Sequence, residues 1–132
     1  MGQAAAKKGD KVTATDIHVV MVPGGPSPVP TQLKHEFAGT IKDGLSADVT
    51  IMGKPAAVAG STAENDKPHT PMSPGTSFQK PPSNTAVLEG GSTTVRINGK
   101  PAIRNGDSAT TCNDPKDLAI GTVEATGTVT IG

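Results

Sequence analysis

Two stretches of this chain align residue for residue without a gap. Val49-Thr50-Ile51-Met52-Gly53-Lys54-Pro55-Ala56-Ala57-Val58-Ala59-Gly60-Ser61 matches Val95-Arg96-Ile97-Asn98-Gly99-Lys100-Pro101-Ala102-Ile103-Arg104-Asn105-Gly106-Asp107, 46 residues further on. Each reads as a V-x-I strand, a tight turn at the Gly-Lys pair, and a short return strand after Pro. Asn98-Gly99 is a strong turn signal because both residue types tolerate positive φ. Pro55 and Pro101 suit the first residue of an edge strand, where no N–H is needed. A weaker third copy, Val129-Thr130-Ile131-Gly132, closes the chain. Three related β elements in one small chain predict a pseudo-threefold arrangement of hairpins.

Composition narrows the choice further. With 16 Gly and 12 Pro in 132 residues, no stretch is long enough and free enough of breakers to build a helical bundle. No run approaches the roughly 20 apolar residues of a membrane-spanning helix. Twelve Lys and Arg balance twelve Asp and Glu, so long-range electrostatics draws the chain neither to nucleic acid nor to an anionic membrane. The N-terminus carries lysines but no apolar h-region, which predicts synthesis in the cytoplasm without a signal peptide. No low-complexity linker divides residues 1–132, and one domain is expected.

Such a chain is short of core. Only 33% of its residues are hydrophobic and its sole aromatics are Phe37 and Phe78, expected as satellite packing beneath loops. Small, weak cores usually need a staple. A single cysteine, Cys112, cannot provide an internal disulfide.

Before the first repeat, Lys11 to Val22 reads as a strand in which Val12, Ala14 and Asp16 share one face, with His18 further along. It ends at the Pro-rich run Pro23 to Pro30, read as a stiff loop. A second long loop is expected from Ser61 to Ser83, which contains five prolines. His35 and His69 fall in these Pro-rich segments, and Cys112 lies in Thr110-Thr111-Cys112-Asn113-Asp114-Pro115 after the second repeat. Three imidazoles and a thiolate would complete the tetrahedral shell of a structural Zn²⁺, and these soft donors favour zinc over calcium or magnesium. There is no CxxC and no HExxH, so spacing alone favours three separate histidines and one free cysteine over a metal site. A small zinc hydrolase is a further reading, with one donor replaced by water and Glu36 as the nearest base.

The Gly-Lys-Pro-Ala core of both copies, with Pro55-Ala56-Ala57-Val58 and Pro101-Ala102-Ile103-Arg104, resembles the PAAR motif, as do the flanking V-x-I-N-G-K and G-D elements and Lys8-Gly9-Asp10. Each copy departs from Pro-Ala-Ala-Arg at one position. The resemblance covers Lys8 to Gly132. It implies an all-β fold: a small conical, pseudo-threefold set of β-hairpins with loops pinned by a metal near the apex. It implies that the metal is held by His18, His35, His69 and Cys112, with structural Zn²⁺ expected and iron the alternative. It further implies a non-enzymatic piercing tip on a contractile injection system, of the type VI secretion kind or an extracellular phage-tail-like particle. One copy would cap a trimeric β-helical spike protein (VgrG-like) in a 1:3 complex, meet a target membrane only transiently, and be delivered outside the cell. Recruitment of toxin cargo through the long segments Gly24 to Phe37 and Ser61 to Ser83 is the alternative role.

Overall fold

The computed structural model describes residues 2–132 and contains, among these, only strands, turns and loops. Strand β1 (Gln3–Ala4) is followed by two long strands, β2 (Lys11–Val22) and β3 (Val29–Asp43). The first repeat supplies β4 (Thr50–Ile51) and β5 (Lys54–Pro55), and β6 (Thr62–Asn65), β7 (Ser77–Phe78) and β8 (Thr85–Leu88) come next. The second repeat supplies β9 (Arg96–Ile97) and β10 (Lys100–Pro101), before β11 (Ser108–Thr111), β12 (Leu118–Glu124) and β13 (Thr130–Ile131).

Both repeats form the expected hairpins, β4 on β5 and β9 on β10. Their turns place Asn98-Gly99 at φ 53° and 77° and Met52-Gly53 at φ 52° and 81°, the left-handed pair that a two-residue hairpin turn requires. The third hairpin is split. β13, from the C-terminal copy, pairs antiparallel with β1 at the other end of the chain. The segment after β1, Ala5-Ala6-Lys7-Lys8-Gly9-Asp10, therefore completes the third repeat.

A ring of backbone hydrogen bonds joins the three copies. Ala6 N–H donates to the Ile103 carbonyl at 2.9 Å, Ile103 N–H to Ala57 at 3.2 Å, and Ala57 N–H to Ala6 at 3.0 Å. The alanines at positions 5, 6, 56, 57 and 102 are all buried around this junction, and Ile103 is the one large side chain in the ring. In each copy a short polar side chain then caps the turn three residues earlier in sequence: Asp10 accepts from Lys7 N–H, Ser61 from Val58 N–H and Asp107 from Arg104 N–H. The intervening Gly9, Gly60 and Gly106 stand at φ 94°, 98° and 88°, where a side chain would be strained. Their N–H groups donate to Ile41, Leu88 and Val123, three equivalent core residues.

The strands leaving this ring close a barrel in the order β12-β11-β8-β6-β3-β2, with β12 returning to β2. Val12, Phe37, Ile41, Ala63, Leu88, Ile103, Ala109 and Val123 fill it. Phe37, 1% exposed, belongs to this main core and not to a satellite. A second apolar cluster of Ala5, Ile51, Ala56, Val58, Ile97, Ala102 and Ile131 underlies the three hairpins at one end of the barrel.

The other end narrows. β12 pairs with β2 only over Lys11–Thr13 and β6 with β3 only over Gly39–Asp43, whereas β2 and β3 stay paired for twelve residues. Beyond the barrel they continue as a ribbon, with β7 added at Val20 and Met21. Two expectations change here. The Pro-rich loop ends at Pro28, and β3 starts at Val29, so His35 lies in a strand. Pro30 is tolerated because the edge of β3 away from β2 is unpaired at that level. The long Ser61 to Ser83 segment likewise contains β6 and β7.

Candidate metal centre

Strand parity aims the site inward. Along β2, Val12, Asp16, His18 and Val20 are all buried at 0–1% exposure while their neighbours are more open. At about 3.3 Å per residue, His18 lies roughly 20 Å along the strand from Val12, past the barrel and inside the ribbon. Asp16 is directly opposite His35 in the β2–β3 register, and His35 is buried beside Phe37 on the inner face of β3. Alternation sends Glu36 to the outer face, where it accepts from the Thr15 hydroxyl. Glu36, the base of the hydrolase reading, is thus exposed on the outer face of β3, at the rim of the cleft that His35 and His69 line.

His69 comes from the loop between β6 and β7. Its backbone N–H donates to Asn84 Oδ1 at 2.8 Å, and the Asn65 amide lies 3.5 Å from its Nδ1. Cys112 follows β11, and the next residues fasten its loop along β2. Asn113 Oδ1 accepts from Ile17 N–H at 2.6 Å, and Asp114 Oδ2 from Val19 N–H at 2.8 Å.

The structure thus gathers all three histidines. Ring centroids are 5.0 Å apart for His18 and His69, 5.5 Å for His18 and His35, and 5.6 Å for His35 and His69. Donor atoms of Asp16, His18, His69 and Cys112 lie within 4.8 Å of one another. His35 borders this group with both nitrogens engaged: Nδ1 with the Leu33 carbonyl at 2.9 Å, and Nε2 accepting from Met72 N–H at 3.2 Å. Asp16 is the member that the sequence reading did not single out as a candidate ligand. Its position on the Val12 face was visible, and a carboxylate on the buried face of a strand is the signal.

The donor set fits a metal ion. Both His18 ring nitrogens are buried without a hydrogen-bond partner; Asp114 Oδ2 comes to 3.4 Å of Nδ1 but out of line for a bond. Orphaned buried polar atoms are costly, and a cation would satisfy them. Burial holds the His18 imidazole below its usual pKa, helped by His69 nearby, and burial does the same for His35. Neutral imidazole is the ligating form. Burial pushes the Cys112 thiol up, and the Asp16 carboxylate beside it adds to the shift, so a thiolate here calls for a positive partner. Clefts border His35 and His69 on one side, and His18 and Cys112 on the other.

The imidazole shifts predict a pH dependence for the metal-free protein. The folded His18 and His35 bind protons less readily than the unfolded chain, so their contribution is complete above the unfolded value of about 6.5 and is lost as pH falls below it. Calorimetry in chelator should show the melting temperature falling between pH 7 and pH 5. A flat or rising profile would contradict the buried, neutral assignment.

Comparison with protein-family models finds a match to the family described as the PAAR motif, over residues 31–112. Comparison with curated proteins and with solved structures returned no match.

Proposed function

Because the chain belongs to the PAAR motif family of contractile injection systems, we propose that it is a structural piercing tip that caps a trimeric β-helical shaft, acting as one domain carried outward at the head of the particle. The observation that carries this reading is the ring of three hairpins, closed by Ala6, Ala57 and Ile103 around a common axis. It offers a trimer three near-equivalent edges from a single chain. Covering those short hairpins also removes exposed strand edges, which otherwise invite aggregation.

At the opposite end a narrow point has no width for an apolar core, and a metal substitutes for one. His18, His35, His69 and Cys112 would hold it, His35 by giving up the bond that its Nε2 accepts from Met72 N–H, with Asp16 beside them, and zinc suits this mixture of imidazole and thiolate. When bound, the ion would supply a cross-link between these chain segments. The chain's own residues do the rest. The loop after β11 fixes Cys112 against β2 through Asn113 and Asp114, the β3 strand carries His35 inward, and Asn84 anchors the His69 backbone. The two long segments considered for cargo are engaged in delivering His35 and His69 to the interior, which favours the tip role over an adaptor role.

Mixing the protein with the trimeric spike protein of its own injection system tests the proposal. Light scattering should give one copy per three spike chains. No complex, or a stable homotrimer of this chain alone, would overturn it.

A further inference from the structure

We propose that Asp16 is the charge-balancing carboxylate of the metal centre, the group that renders a buried divalent ion, one thiolate and neutral imidazoles electrically neutral. The inference rests on the metal reading above and goes beyond it, since three histidines and one cysteine would leave the ion with a net positive charge.

Asp16 is completely buried. Its Oδ1 is held by neutral donors, the Thr111 hydroxyl at 2.5 Å and the Asn113 amide at 3.5 Å. Its Oδ2 is turned to His69 Nε2 at 2.9 Å and Cys112 Sγ at 3.5 Å. Among the described residues every Lys and Arg in an ion pair is engaged elsewhere: Lys7 with Asp10, Lys11 with Asp66, Lys42 with Glu64 and Arg104 with Asp107. Removing an ion from water costs several kcal/mol unless an opposite charge compensates. Asp16 therefore sits buried, beside a thiol, with no lysine or arginine against it; its only ion-pair contact among the described residues is His69, an imidazole that is neutral when it ligates a metal. A divalent ion bound by thiolate and neutral imidazoles carries one surplus positive charge, and Asp16 carries the matching negative one. The carboxylate also fixes the His69 ring through Nε2, as carboxylates do for many metal-binding histidines. Thr111 at the end of β11 and Asn113 in the loop after it flank Cys112 and hold the carboxylate in turn, so thiolate and counter-charge arrive together.

Charge balance separates this role from mere packing. Asp16→Asn keeps the shape and removes the charge. Competition titrations with Zn²⁺ and with Cu⁺, a monovalent ion that accepts the same soft donors, should show Zn²⁺ affinity falling about 10–100-fold, the range for loss of an outer partner. Cu⁺ affinity should change much less. Equal losses for both ions would assign Asp16 a structural role and overturn the proposal, as would an unchanged Zn²⁺ affinity. If the variant folds only with an ion present, rescue by Cu⁺ in preference to Zn²⁺ supports charge balance, and folding with neither ion refutes it. A parent chain that takes up no Zn²⁺ refutes the metal reading itself, which keeps the two failures distinct.

Discussion

Cys112→Ala is expected to bring the metal content of the purified protein from about one equivalent to below a tenth and to lower its melting temperature by about 15 °C. An ion present at about a thousandfold over its Kd contributes about 4 kcal/mol, and a domain of this size moves by roughly 4 °C per kcal/mol. Direct loss of packing is small, since the thiol is a minor part of a core led by Phe37, Ile41, Leu88 and Ile103. The effect should therefore be conditional. In chelator, parent and variant should melt within a few degrees of each other, and only added Zn²⁺ should separate them. His69→Ala should behave alike but lose somewhat more, because its ring also contacts Phe37 at 6.0 Å. Elemental analysis and calorimetry with and without chelator provide the check. A parent protein free of transition metal, or a variant that melts like the parent with Zn²⁺ present, would show that the histidines pack together without an ion.

What the sequence made legible follows from how local each signal is. The hairpins at Met52-Gly53 and Asn98-Gly99 were readable because turn chemistry and strand pattern lie within seven residues of each other. The third hairpin was half readable. Val129-Thr130-Ile131 carries the strand, but its partner Gln3–Ala4 lies at the far end of the chain and lacks the Lys-Pro pair, so only the fold reveals their pairing. His18, His69 and Cys112 were placed correctly on a strand and two loops. Pro28 and Pro30 suggest a loop around His35, and proline at an unpaired strand edge defeats that rule. Asp16 is visible in the sequence as a residue of the Val12 face. Its chemistry was hidden because strand alternation distinguishes inside from outside, whereas a buried charge becomes informative only once its neighbours are known to include no lysine or arginine.

Glutamate substitutions at Val49 and Val129 are expected to abolish shaft capping while leaving the free protein intact. These valines precede the Ile51 and Ile131 that lie in the hairpin-end cluster, and they remain 36% and 41% exposed. Burying a carboxylate without a partner costs several kcal/mol, and a central contact in such an interface carries about 2 kcal/mol or more. Each single variant should therefore weaken the complex by at least ~30-fold, and the pair by ~1,000-fold if the separated sites act independently. Because both side chains already face solvent, the melting temperature should shift by no more than about 2 °C. Val87→Glu serves as the control: it is comparably exposed, at 39%, but lies on β8 in the barrel wall. If the flank variant broke the complex and the hairpin variants did not, the shaft would sit against the barrel side. The pseudo-threefold ring would then be a way of closing a small fold without a wide core, and its symmetry would have nothing to do with a trimeric partner.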